Sequence, residues 1–234
     1  MPTRIAVTRR GGRQRLDLVG GLLRPQVVLD RPDHTRIGLV ATSALLLGGD
    51  EVELEVRVGP DASLELFDVA GTVAYHGRGQ SASWRVTVVV DDGACLDYDG
   101  APFVVSDGAD VLRTLDLGLG PGASVRLRET VVLGRFGQLG GRLRSRTAIT
   151  VGGRQVLLED QLLDPFGIRQ GPGMLGSHRV IDSVIAVGPH AVVVNKPSSL
   201  PDGAVRFGLV GGVGSLTRYL GADVAGSPLE RERV

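Results

Sequence analysis

A single cysteine, Cys95, stands among 234 residues, which excludes an intrachain disulfide and any zinc site built from paired cysteines. A reducing compartment fits that usage. Lys196 is the only lysine, every other basic side chain being arginine, so a lysine-dependent phosphate loop has no place elsewhere in the chain. Basic and acidic residues balance at 26 each without a long run of one sign, and the distribution offers no basic face for nucleic acid. A net-neutral protein tends to associate with others. No run of about 18 apolar residues occurs, and the opening MPTRIAVTRRGG lacks the apolar core of a secretion signal. Neither export nor a membrane span is expected, and the expected location is the cytoplasm.

Catalytic signatures are missing as well. The chain contains no G-x-S-x-G, no H-E-x-x-H and no G-x-x-x-x-G-K. Gly118-Leu119-Gly120-Pro121-Gly122 is glycine-rich, but it lies between two strand patterns and has no helix behind it, so it reads as a turn. His34, His76, His178 and His190 are too scattered for a local ligand cluster, and each falls in or beside a turn, where solvent exposure is expected. Cys95 reads as a small core residue. No permanent metal site and no tightly bound cofactor are legible.

Glycine, at 35 residues, is what the chain does have, and that density serves turns while leaving little room for long helices. Val52, Leu54, Val56 and Val58 alternate with Glu51, Glu53, Glu55 and Arg57, a strand with one apolar face. Four short turns follow alternating strands: Val58-Gly59-Pro60-Asp61-Ala62, Val90-Asp91-Asp92-Gly93-Ala94, Leu119-Gly120-Pro121-Gly122-Ala123 and Val187-Gly188-Pro189-His190-Ala191. The first three recur at roughly 30 residues, the range of stacked, solenoid-like units. Met1 to Gly12 reads as a loose arm, Arg36 to Leu47 as one or two strands, Asp164 to Ser177 as a loop, and Arg179 to Val187 and Ala191 to Asn195 as strands. Lys196 to Pro201 reads as a linker. Ser215 to Leu220 reads as a short helix with Ser215 as its cap. The expectation is an all-β chain, β-helical or of two stacked sheet layers, with a few short C-terminal helices. Residues 1–220 form one domain and 221–234 a disordered tail.

Three carboxylates stand out by parity. Glu129 shares a strand face with Val125, Leu127 and Val131, while Asp50 and Asp68 stand at the ends of the apolar rows Val52 to Val58 and Leu64 to Leu66. A carboxylate on an apolar face costs several kcal/mol, roughly, unless it is paired, hydrogen-bonded or protonated. Glu129 can therefore reach water or an arginine, or the three can line a wet path along which a divalent cation passes without being caged.

The segment ETVVLGRFGQLGGRLRSRTAITVGGRQVLLED resembles the UreD (also UreH) family of urease accessory proteins, in which a Glu, a Leu-Gly-Arg, a basic strand, a glycine turn and a closing Glu recur in that order. LLLGGDEVELEVRVGPDASLELFDVAGTVAY is similar to the same family's Gly-Asp turn, its amphipathic strand and the segment ending in Tyr. The resemblance runs from Leu18 to Leu163 and, more weakly, to Leu220. Asp50, Tyr75, Glu129, Gly134, Arg135 and Glu159 match its motifs, and Arg135 is expected to pair with Glu129 or Glu159. Where the family has Gly-Glu, this chain has Gly137-Gln138 followed by Gly140-Gly141. The resemblance implies a non-catalytic scaffold that binds apo-urease, a UreF-type protein and, through it, a UreG-type G protein. It implies Ni2+ in transit only, GTP held only by the G protein, and a dimeric assembly formed through those partners. A different class is open to stacked sheets with inward carboxylates, namely a carbohydrate-active enzyme or a ligand-binding module. Against it stand the single tryptophan, Trp84, and aromatics at only 4%.

Overall fold

The computed structural model describes residues 1–165, 175–190 and 202–229. In chain order the strands are β1 (Thr3–Arg10), β2 (Arg13–Val19), β3 (Leu23–Asp30), β4 (Thr35–Ala41), β5 (Glu51–Val58), β6 (Ser63–Asp68), β7 (Thr72–Ala74), β8 (Ala82–Val90) and β9 (Cys95–Asp99). They continue with β10 (Phe103–Val105), β11 (Asp110–Leu119), β12 (Ser124–Leu133), β13 (Arg142–Val151), β14 (Arg154–Leu163), β15 (Val180–Val187), β16 (Ala204–Gly208) and β17 (Gly214–Gly221). One sheet has the order β14-β13-β11-β8-β5-β1-β2 and the other β16-β17-β15-β12-β9-β6-β4-β3, with β7 and β10 as a side branch.

Within the first sheet β1, β5, β8, β11 and β13 are parallel neighbours, and within the second β4, β6, β9 and β12 are. The chain crosses from one sheet to the other at each of the turns β5–β6, β8–β9 and β11–β12, so each crossing is a rung of a β-solenoid. Stacking explains why the turn sequence recurs. The Asp61 N–H donates to the Asp92 carbonyl at 3.1 Å, Gly93 N–H to Pro121 at 2.9 Å, and Ser124 N–H to Ala94 at 2.9 Å. The fourth turn lies on the same stack with opposite sense. Gly188 has φ +87°, and a Cβ there would sit 2.0 Å from the Ala123 carbonyl, so only glycine lets β15 return antiparallel to β12.

Alternation fixes which side chains enter the space between the sheets. Strand β5 buries Val52, Leu54, Val56 and Val58 and exposes its glutamates, as its sequence pattern predicts. Ile5 and Val7 of β1 join that core, so residues expected to form a loose arm are a parallel strand on β5. Residues 215–220 lie in strand β17, not a helix, because Leu216 and Leu220 share one face and pair across to Ile185 and Ile181. A 3-10 turn at Val210–Gly212 lies between β16 and β17. The span expected to form a tail from Gly221 is packed at Ser227, which is 7% exposed and donates its hydroxyl to Asp182 at 2.6 Å. Asp182 is fully buried on the outer side of β15, where Arg128 grips it through Nε at 3.1 Å and Nη2 at 2.8 Å and Thr130 adds a hydroxyl at 3.0 Å. The expected strand Ala191 to Asn195 and linker Lys196 to Pro201 lie outside the described residues, as does most of the loop from Asp164. No helix among the described residues is long and apolar enough to cross a membrane.

Candidate functional site

The inward face changes character along the solenoid. From β1 to β9 it is filled mostly by aliphatic side chains, with Asp68 and Tyr98 at the ends of β6 and β9 as polar exceptions and Trp84 packed edge-to-face on Phe103 at 5.8 Å. Beyond that point two polar rows face each other. In the first sheet Arg113, Ser145 and Gln161 are register neighbours across β11, β13 and β14. In the second sheet Glu129, Ser183 and Arg218 are neighbours across β12, β15 and β17.

Glu129 occupies the inward position that its parity predicts, and it is paired: the Arg113 Nη2 donates to its Oε1. Glu159, on β14, is held by Arg218 through Nη1 at 2.7 Å and Nη2 at 2.8 Å, and the Gln161 amide donates to it at 2.9 Å. Arg218 also donates through Nε to the Ser183 hydroxyl at 3.0 Å. Asp68, at the end of β6, accepts from the Tyr98 hydroxyl at 3.2 Å and from the Ala101 N–H at 3.1 Å. Burial pushes its carboxyl up to about 6 in spite of those two hydrogen bonds, and burial and the Asp68 charge push the Tyr98 phenol well above its ordinary value.

Two small cavities follow this line. The first, about 20 Å³, is lined by Asp68, Tyr98, Phe103, Arg113 and Glu129 among others. The second, about 30 Å³, is lined by Arg113, Glu129, Ser145, Thr147, Glu159 and Arg218 among others. Each has room for one or two waters, far from room for a sugar ring, so the interior carboxylates do not flank a saccharide groove. Among the described residues no group of three His, Cys, Asp or Glu side chains is placed to hold a metal ion.

Asp50 does not join them. It lies in the turn before β5, where its carboxylate accepts the Leu47 N–H at 3.0 Å, and neither cavity touches it. Its parity matches the inward row, but the row ends before the residue does. Arg135 pairs with neither Glu129 nor Glu159; it is exposed and lies over the Tyr75 ring at 4.9 Å. Gly134 has φ +81°, and a Cβ there would lie 2.6 Å from the Gln138 carbonyl, so this motif position serves a tight loop. His178, His190 and His76 are exposed, whereas His34 is half-buried beside Ser63 and Glu65. The arginines of the site, Arg113 and Arg218, and the phenol of Tyr98 were not among the candidates, although Arg113 stands in step with Val111, Leu115 and Leu117 and Arg218 with Leu216 and Leu220. Parity could have placed them inside.

A family model for the UreD urease accessory protein matches residues 6–227, nearly the whole chain. The chain belongs to the UreD family. Urease accessory protein UreD 1 of Streptomyces griseus subsp. griseus is 46% identical over 190 residues, which cover 80% of this chain and 74% of that protein. Urease accessory protein UreD of Frankia alni is 36% identical over 193 residues, 75% of this chain and 65% of that protein. Gln138 and Gly140 have local work to do. Gln138 Oε1 accepts the N–H groups of Arg135 at 3.0 Å and Asp107 at 3.3 Å, and Asp107 accepts the Gly140 N–H at 2.7 Å.

Proposed function

We propose that this chain is a non-catalytic urease maturation protein, a cytoplasmic scaffold that binds apo-urease and a UreF-type partner, with a UreG-type G protein joined through the latter. In this reading the G protein holds and hydrolyses GTP, the assembly becomes dimeric through its partners, and the scaffold passes Ni2+ toward the urease active site. The observation that carries the maturation role is the family match over residues 6–227. The interior supports the transit role: of the three expected carboxylates Asp68 and Glu129 line two adjoining cavities, the second of which Glu159 also lines, and Asp50 lies outside both.

The test is co-expression of urease subunits and the UreF-type and UreG-type proteins with and without this chain, followed by size-exclusion chromatography and a nickel assay of purified urease. Co-elution with the UreF-type protein, and nickel-poor urease when the chain is omitted, are expected. Urease that fills normally without the chain would sink the reading. Within it, Glu129→Gln is expected to leave the complex intact and lower the nickel content of urease.

A further inference from the structure

The two interior cavities have only two lining residues in common, Arg113 and Glu129. Their ion pair is the wall between them. A cation that goes from Asp68 to Glu159 has to pass the point where an arginine already neutralises Glu129, and in a poorly solvated interior the arginine repels a second positive charge at that carboxylate. We infer that Arg113 is the displaceable counter-ion of the path: it occupies Glu129 when no cation is there and has to swing away for one to cross. This rests on the transit reading above.

The hydrogen bonding of the interior arginines says which of them is built to move. Arg218 is held at Nε, Nη1 and Nη2 by Ser183 and Glu159. Arg128, on the outer side of the second sheet, is held at Nε and Nη2 by Asp182. Arg113 is held at Nη2 alone, and its Nε–H is buried with no acceptor among the described residues. An unsatisfied buried donor favours any rearrangement that supplies an acceptor. The rest of its support is the Phe103 ring, 5.2 Å from the guanidinium carbon, a contact that depends little on the orientation of the guanidinium within its plane. A second anionic partner is within electrostatic reach, since the Arg113 charge is felt by both Asp68 and Tyr98 in the first cavity. Asp68 and Arg113 also line the same cavity, so Asp68 is a second carboxylate near Arg113 besides Glu129. Charge supports exchange over co-occupancy. Asp68, Glu129 and Glu159 against Arg113 and Arg218 leave one net negative charge in the interior, and Arg113 turning toward Asp68 keeps that sum while removing the nearest positive charge from Glu129.

The experiment is equilibrium binding of NiCl2 to the purified full chain at neutral pH, in the wild type and in Arg113→Met, Arg113→Lys and the double variant Arg113→Met/Glu129→Gln, with circular dichroism to check folding. Removing the arginine charge frees Glu129, so Arg113→Met is expected to bind Ni2+ at least about tenfold tighter than the wild type. Arg113→Lys is expected to remain close to the wild type, and the double variant to lose the gain. Arg113→Met that binds no tighter, or a gain that survives Glu129→Gln, would overturn the inference. If Arg113→Met does not fold, Arg113→Gln, which keeps a hydrogen bond to Glu129 without the charge, carries the same expectation. The co-expression assay separates the two levels. Glu129→Gln that leaves urease nickel unchanged removes the transit reading and the inference with it. Glu129→Gln that lowers nickel, combined with Arg113→Met that changes neither affinity nor filling, overturns the role of Arg113 alone.

Discussion

The interior between the two sheets has two halves with different contents. Between β1, β5 and β8 on one side and β4, β6 and β9 on the other, the inward positions are Ile5, Val7, Leu54, Val56, Leu64 and Leu66 and their neighbours, all buried. Between β11, β13 and β14 and β12, β15 and β17, the equivalent positions admit Arg113, Ser145, Glu159, Glu129, Ser183 and Arg218. The apolar half is paired in parallel throughout, whereas β14, β15 and β17 of the polar half run antiparallel to their neighbours, yet both halves are continuous hydrogen-bonded sheets, so the ladder does not need an apolar filling at every level. One half can supply stability through burial, and that leaves the other free to carry charge.

The apolar half should be the more sensitive to truncation. Leu54→Ala removes a side chain that is 1% exposed and is expected to cost about 3–5 kcal/mol in urea unfolding; a loss under about 1 kcal/mol would show that this half is not the stabilising one. Asp68, where the two halves meet, should behave in the opposite way. Its carboxyl titrates at 3.8 unfolded and about 6 folded, so between those values the folded chain keeps a proton that the unfolded chain has released. The stabilisation is fully present below about pH 4 and is lost as pH rises through about 6, in total up to about 3 kcal/mol. Asp68→Asn is expected to abolish that slope and to be more stable than the wild type at pH 7, while urease nickel falls. An unchanged slope would remove Asp68 from the interior. Glu159→Gln replaces one of the two oxygens that accept from Arg218 by an amide NH2 and takes away the charge, with an expected cost of about 1–2 kcal/mol and a clear loss of urease nickel. Arg57, 62% exposed and paired with Asp91 outside both halves, is the control: Arg57→Ala is expected to change stability by less than about 1 kcal/mol and nickel content not at all.

The strands of the apolar half were largely readable from sequence, because strict alternation such as Glu51 to Val58 reports directly which face is buried. The stacked turns were readable too, as the recurrence of Gly, Pro and Asp before Ala62, Ala94 and Ala123 reflects one repeated geometry. Strand β1 was missed although Thr3, Ile5 and Val7 alternate, since a short terminal strand gains its stability from β5, about 50 residues away in sequence. Strand β17 was read as a helix because Ser215 looks like a cap, a local signal overridden by pairing with β15. In the polar half parity correctly turned Glu129 inward, but its partner could not be named. Arg113 and Arg135 are both nearby in sequence, and only the facing of β11 against β12 decides between them. Asp182 and its grip by Arg128 lie on an outer face, where nothing local signals full burial.

The direction of the outermost strands has a consequence for growth. A coil of parallel rungs has no intrinsic end: each edge presents to solvent the pattern that the next rung would complete, so that a second copy could extend it and seed a filament. Here β2 and β3 at one end, and β14 and β16 at the other, are each antiparallel to the strand they cover. Pro25 in β3 also withholds a backbone donor from that edge. Among the described residues, neither end presents an outermost strand that continues the parallel run of rungs behind it.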